Sequence, residues 1–266
     1  MAANSSETSS QLAWDKDLGA IPCVNPWGVV PGAYTTLRLD GAASHPLFLE
    51  DHLARLEDSL ARLEVTCPFD LGTIREKIES VAASRTEDNP SLLRVSVFEE
   101  RFQLETRPLP FSGNWMEGRL LPYVRKNPEA KSLDNQLFDH VTQLNRASEE
   151  ALLLAPDGQL GEGSTSNLIF VRGEVLVSPE TNVLPGITLA KLLPSLAKQY
   201  TVERRPVHLT DLPECTEILA TGSGKEVVGF ARIAEVGWRA SAETVLQVAC
   251  KLYSEIKLRY LSSRDA

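Results

Sequence analysis

Glu162-Gly163-Ser164-Thr165-Ser166-Asn167-Leu168-Ile169-Phe170, followed by Leu184-Pro185-Gly186-Ile187-Thr188, is the stretch on which the reading of this chain turns. An acid, a glycine and four small polar residues run straight into an apolar segment that reads as a strand. A polar, backbone-rich turn at a strand mouth can hold an anion or a ring nitrogen. Leu184 to Thr188 opens a helix, and free N–H groups at a helix start form an anion site. A third segment, Thr221-Gly222-Ser223-Gly224-Lys225-Glu226, also follows a strand, and its two glycines let backbone amides approach a phosphate. It lacks the GxxxxGK[ST] spacing, which argues against a nucleoside triphosphatase. A fourth feature is Lys131, in Pro128-Glu129-Ala130-Lys131-Ser132-Leu133, between a strand and a helix. A lysine nucleophile needs a depressed pKa, which sequence does not reveal. Taken singly, each of the three segments reads more readily as a solvated turn, and Lys131 as a surface charge.

Around this stretch the elements alternate in type. Residues 33–39 (AYTTLRL) read as a strand, Asp40-Gly41 as a turn and residues 46–49 as a second strand, making a hairpin. In EDHLARLEDSLARLEV the leucines 53, 56, 60 and 63 share one helical face, with Asp51 as N-cap or in the acidic first turn. Residues 71–83 read as a second helix, 92–98 as an alternating strand, and 102–107 as its partner. Residues 108–118 are rich in Pro and Gly and mark the best boundary between two halves. Beyond it, 120–125, 152–155, 168–171, 175–177 and 218–221 read as strands, while 134–146, 187–199 and 243–261 read as helices. The expectation is an α+β chain with a flexible tail (1–18), a small N-terminal domain (19–115) and a larger C-terminal domain (116–266).

Composition narrows the partners. A chain of 266 residues allows one large domain or two small ones. Its net charge of −9 argues against nucleic acid or an anionic membrane as the main partner, though not against a local phosphate pocket. The four cysteines and four histidines are scattered without metal-ligand spacing, so no metal is expected and the thiols read as free in a reducing compartment. Residues 1–17 have no apolar core and no arginine, and no apolar run reaches the length of a membrane helix. A cytoplasmic location follows as an expectation.

Together and in this order, the four features resemble the class IV aminotransferase family. These are the fold-type IV pyridoxal-phosphate enzymes, among them branched-chain and D-amino acid aminotransferases and aminodeoxychorismate lyase. The resemblance runs from about Gly32 to Gly229, and the His52–Leu56 segment (HLARL) supports it. It implies a smaller N-terminal α/β sandwich and a larger C-terminal β-barrel-like domain that binds pyridoxal 5'-phosphate. Relatives are usually homodimers. Lys131 would form the Schiff base with the cofactor and move the proton, because that chemistry needs an amine on a long arm. Glu162 would keep the pyridine nitrogen protonated. Arg55 would fork onto the phosphate, with the amides of Ile187 and Thr188, the Thr188 hydroxyl, and Ser223 and Gly224 completing the cup. Ser166 and Asn167 would line the ring, and Tyr34 would face the substrate. Lys126 is a competing amine, but the Ala-Lys-Ser context and the spacing to Glu162 favour Lys131.

Departures from the family pattern bear on the substrate. Leu189 stands where the family often has arginine, Phe98 stands where D-amino acid aminotransferases carry a carboxylate-binding arginine, and Lys225 stands where a small residue is usual. The helix after Lys131 also reads about two residues shorter than in the lyase. Three readings stay open: a transaminase acting on a small amino acid and a keto acid, a lyase forming 4-aminobenzoate and pyruvate, or a catalytically degenerate relative. Tyr34-Thr35-Thr36-Leu37-Arg38 leans toward the lyase, since family aminotransferases more often place glutamate at the position of Thr35.

Overall fold

The structure, a computed structural model, describes residues 10–85, 89–110, 113–134 and 136–264. The chain forms two compact units. One holds Met1–Leu109 with Ser132–Asp134, the other Pro110–Lys131 with Asn135–Ala266.

The first unit is a six-stranded sheet with two helices. Its elements are β1 (Gln11–Asp15), β2 (Ala20–Ile21), β3 (Gly32–Asp40), β4 (His45–Pro46), α1 (Leu49–Arg62), α2 (Leu71–Ala83), β5 (Ser91–Phe98) and β6 (Arg101–Pro108). The strand order is β2-β1-β6-β5-β3-β4. Leu53, Leu56 and Leu60 of α1 and Ile74 and Ile78 of α2 bury their stripes against Leu37, Leu93, Val95 and Leu104 of the sheet. The start of α2 is set by Asp70, whose carboxylate accepts the Thr73 N–H at 2.8 Å. At α1 the capping residue is Phe48, and Asp51 lies in the acidic first turn.

The second unit contains β7 (Trp115–Pro122), α3 (Gln136–Val141), β8 (Glu149–Leu154), β9 (Leu160–Gly163), β10 (Asn167–Arg172), β11 (Val175–Ser178), α4 (Ile187–Leu196), β12 (Thr201–Arg204), β13 (Glu217–Gly222), β14 (Glu226–Ile233), β15 (Trp238–Arg239) and α5 (Thr244–Ser262). The path β10-β13-β14-β7-β8-β9 closes on itself, because β9 also pairs with β10. This closed six-stranded ring matches the barrel-like expectation and leaves no open edge within it. Leu152, Leu168, Phe170, Ile218, Val228 and Phe230 fill its core. The buried Glu217 carboxylate accepts the N–H groups of Val245 and Leu246, tying the start of α5 to β13.

Four local expectations need correction. The expected hairpin forms, but of residues 46–49 only Pro46 lies in its second strand. Pairing with β3 stops at Pro46, and Leu49 already opens α1. The helix read over 134–146 shrinks to Gln136–Val141. The residues just before that start are held elsewhere, since Ser132 bridges Ala33 and the Leu133 N–H donates to Gly32 O. The strand read at 120–125 begins at Trp115 and ends at Pro122, reaching into the Pro/Gly-rich segment. Finally, part of the expected tail is ordered as β1, which pairs in register with β6. Residues 1–9 of that tail lie outside the described residues.

Candidate active site

The two motifs of the deciding stretch meet at one mouth of the barrel unit, and the backbone of Leu184 joins them. The Leu184 N–H donates to Glu162 Oε2 at 3.1 Å, and its carbonyl accepts from Asn167 Nδ2 at 2.8 Å. Glu162, the last acid of β9, pairs directly with Asn167, the first residue of β10. Between them the turn closes through the Gly163 N–H to Ser166 O bond of 2.8 Å. Gly163 has no room for a side chain, because a Cβ there would lie 2.2 Å from Ser166 Oγ and 2.7 Å from Glu150 Oε1. The third segment joins the same place: Thr221 pairs with Asn167 across β13 and β10, and Gly222 packs on the Thr165 carbonyl.

Glu162 is buried, and its carboxylate oxygens differ in their partners. Oε2 holds Leu184, while Oε1 lies 3.1 Å from Arg125 Nε in an ion pair whose angle leaves both atoms without a hydrogen bond among the described residues. Burial pushes the Glu162 carboxyl above the ordinary carboxylate range. The charges of Arg125 and Lys131 and the Leu184 N–H oppose that rise, and the nearby Glu150 adds to it. A buried carboxylate oxygen without a donor fits a protonated ring nitrogen. The charge of Lys131 acts on Glu162 in the same direction as that of Arg125.

Gly186 caps α4 without a side-chain bond, so the first amides of the helix, Ile187 and Thr188, are left to a ligand or to water. Both residues are buried. Ser223 and Gly224 sit half-buried in the turn between β13 and β14. The barrel unit thus carries Lys131, Glu162, Ser166, Asn167, Ile187, Thr188, Ser223 and Gly224. Tyr34 and Arg55 belong to the sandwich unit. There Thr35 faces α1, bonding His52 Nδ1 at 2.8 Å and accepting from Arg55 Nη2 at 3.0 Å. Tyr34 faces the other side of the sheet, edge-on to Trp27 at 5.0 Å and packed with Phe98 and Leu133.

Three buried or half-buried charges were not foreseen from sequence. Arg125 carries no periodic signal, and only its nearness to Lys131 in the chain points to it. Glu150 looks like one more acid before an apolar strand, yet it organises the turn at 164–166. Arg94 on β5 is buried on the Tyr34 side of the sheet, paired with Glu105 and over the Trp27 ring at 4.7 Å. Its Nε and Nη1 have no hydrogen-bond partner among the described residues. Sequence reading looked for such an arginine at Phe98, four positions along the same strand face. Among the described residues no cluster of His, Cys, Asp and Glu could hold a metal, and no helix is long and apolar enough to cross a membrane.

Residues 32–233 match the profile of a family described as amino-transferase class IV. The "Probable branched-chain-amino-acid aminotransferase" of Aquifex aeolicus is 32% identical over 89 residues, 32% of this chain and 29% of that protein. The aminodeoxychorismate lyase of Bacillus subtilis is 27% identical over 185 residues, 65% of this chain and 60% of its own length. The chain therefore spans less than two thirds of the length of these relatives. Among solved structures, the branched-chain aminotransferase of Thermoproteus uzoniensis with norvaline superposes with a TM-score of 0.81 at 16% identity, covering 94% of this chain and 95% of that one. A hypothetical aminotransferase of Mycobacterium tuberculosis in its PLP-bound form gives a TM-score of 0.75 at 15% identity, covering 94% and 99%. At such identities these structures show a shared fold.

Proposed function

The chain belongs to the amino-transferase class IV family, and from that premise we propose that it binds pyridoxal 5'-phosphate and transaminates a small amino acid with a keto acid. The observation that carries the reading is Glu162, a buried carboxylate with one oxygen lacking a hydrogen-bond donor, beside the charges of Arg125 and Lys131. When bound, the cofactor supplies an aldehyde that condenses with amines and a ring that draws electrons from the carbon losing its proton. Lys131 would provide the amine and hold the transferred proton at its Nζ. Glu162 holds a proton on the ring nitrogen. The Leu184 N–H and the Arg125 guanidinium counter the effect of burial on Glu162 and keep it able to ionise. The uncapped start of α4 offers the amides of Ile187 and Thr188 to the phosphate, and the Thr188 hydroxyl, Ser223, Gly224 and Arg55 complete its set of donors. Ser166 and Asn167 stand beside Glu162 where the ring would lie. In the other unit Tyr34 is the residue proposed to face the substrate, and Arg94 on the same side of that sheet has guanidinium Nε and Nη1 groups without a hydrogen-bond partner among the described residues.

The test is direct. Protein titrated with pyridoxal 5'-phosphate should gain a visible absorbance band, and borohydride should fix the label on Lys131 by peptide mapping. Addition of single amino acids should then convert the band to that of the amine form. Colourless protein that takes up no cofactor overturns the reading.

One observation favours a second reaction. Thr35 is fully buried and fixed between His52 and Arg55 where family aminotransferases more often have glutamate. Release of 4-aminobenzoate and pyruvate from aminodeoxychorismate, without amine-form accumulation, would assign the chain to lyase chemistry instead.

A further inference from the structure

Lys225 is the residue that the family pattern leaves without a role. Its Nζ is not directed at solvent. It pairs with the Glu150 carboxylate and donates to Thr165 Oγ1 at 2.6 Å, and only 6% of its side chain is exposed. Glu150 is buried to the same degree and is a hub. Besides Lys225 it accepts the Thr165 N–H at 2.7 Å, the Thr165 hydroxyl at 3.1 and 3.2 Å, Ser164 Oγ at 3.2 Å and Ser166 Oγ at 3.1 Å. All three hydroxyls of the turn that links Glu162 to Asn167, and the Thr165 N–H, are thus aimed at one carboxylate. These donors and the nearby cation together offset the cost of burying the carboxylate, and removing the cation alone would strand a buried charge.

The location of the cation matters. Lys225 closes the turn between β13 and β14, its own N–H donating to Gly222 O at 3.1 Å. That turn carries Ser223 and Gly224. Its Gly222 already packs on the Thr165 carbonyl, where a Cβ would come within 3.0 Å. Lys225 therefore fastens its own turn to the turn at 164–166 both directly, through Thr165 Oγ1, and through Glu150 on β8, which receives the hydroxyls of that turn.

We propose that Lys225 is a positioning residue: with Glu150 it forms a buried ionic clamp that holds the turn at 222–225 and the turn at 164–166 in one fixed register, the arrangement in which Ser223 and Gly224 receive a phosphate. The phosphate part rests on the proposed function; the clamp itself does not. The clamp also supplies electrostatic order. The Glu150 charge lies close enough to disfavour ionisation of Glu162, and Lys225 offsets that charge at its source.

The experiment compares the wild-type protein with K225M, E150Q and the double variant K225M/E150Q. Methionine keeps the length of the lysine arm but leaves Glu150 uncompensated, whereas the double variant replaces the ion pair by a neutral one of similar size. Hydrogen exchange of the cofactor-free protein reads the clamp alone. K225M should speed exchange at the Thr165 amide and across 222–225, and the double variant should restore much of the protection. Titration with pyridoxal 5'-phosphate reads the phosphate part. K225M should bind about tenfold or more weakly, with the double variant recovering most of that loss, as expected when a stranded buried charge is the cause. An insoluble K225M beside a folded double variant supports the clamp equally. If K225M exchanges and binds like wild type, or the double variant is as impaired as the sum of the singles, the clamp is wrong. If the wild-type protein takes up no pyridoxal 5'-phosphate, the proposed function falls and the exchange data still decide the clamp.

Discussion

Substitution of Gly186 by alanine tests the central joint of the site. Gly186 adopts φ −78° and ψ 126°, a conformation open to any residue, so alanine meets no backbone penalty there. The whole cost is steric. A Cβ would lie 1.6 Å from Asn167 Oδ1 and 2.7 Å from its Cγ, so the two cannot coexist. Asn167 cannot simply swing away, because its amide is buried and donates to Leu184 O at 2.8 Å. Displacing it breaks that bond and strands a buried amide, and the added methyl overfills the joint. These contributions together amount to about 2–4 kcal/mol. Urea denaturation of G186A should show a loss of that size with an unchanged slope against denaturant. The cause is isolated by adding N167A, which removes the atoms that clash. The double variant should then be no less stable than N167A alone, a strongly non-additive cycle. A G186A protein within about 0.5 kcal/mol of wild type, or strict additivity with N167A, would refute the reasoning.

The other predictions concern charge. E162Q can still accept the Leu184 N–H but cannot hold a ring proton, so cofactor should still bind while the amine-forming half-reaction slows by orders of magnitude, read by single-turnover absorbance. Undiminished turnover would remove Glu162 from that role. In R125M the Glu162 carboxyl, already raised by burial, loses its opposing cation and should rise further. The acid limb of the pH profile of the visible band should then move to higher pH, and an unmoved limb would deny the pairing. Glu150 is the opposite case: burial would raise it, but Lys225 and the Thr165 donors hold it below the ordinary range. The unfolded chain then binds more protons, so this group contributes stability above its unfolded pKa of about 4.3, and that stability is lost as pH falls. E150Q should therefore lose less stability than wild type on acidification from about pH 5 to 3, measured by urea midpoints. R55A should weaken cofactor affinity more than it slows the bound reaction, and unchanged affinity would remove Arg55 from the phosphate donors.

Legibility differed with the kind of signal. The helices α2 and α5 were readable to within a residue and α1 to within three, because their apolar stripes repeat at helical period, and Asp70 caps α2 locally. β1, β9, β12 and β14 were missed or left unassigned. β1 is a short strand defined by backbone pairing with β6 on one side and β2 on the other, and such pairing leaves little trace in side-chain pattern. The shortened α3 shows the converse: the segment before it is claimed by the hydrogen bonds of Leu133 with Gly28 and Gly32, some hundred positions away.

By itself the sequence determined the motifs and their order: an acid before a polar turn, a Pro-Gly helix start, a glycine turn and a lysine upstream. Those are local facts, since turn chemistry and helix starts depend on residues a few positions apart. Only the tertiary structure decided why the motifs belong together. Glu162, Asn167, Leu184 and Gly186 make one joint because β9, β10 and the start of α4 converge at the mouth of a closed barrel. Arg125 and Lys225 gain their meaning the same way, for a charge acquires a role from the carboxylate buried beside it, and that neighbour is chosen by the fold.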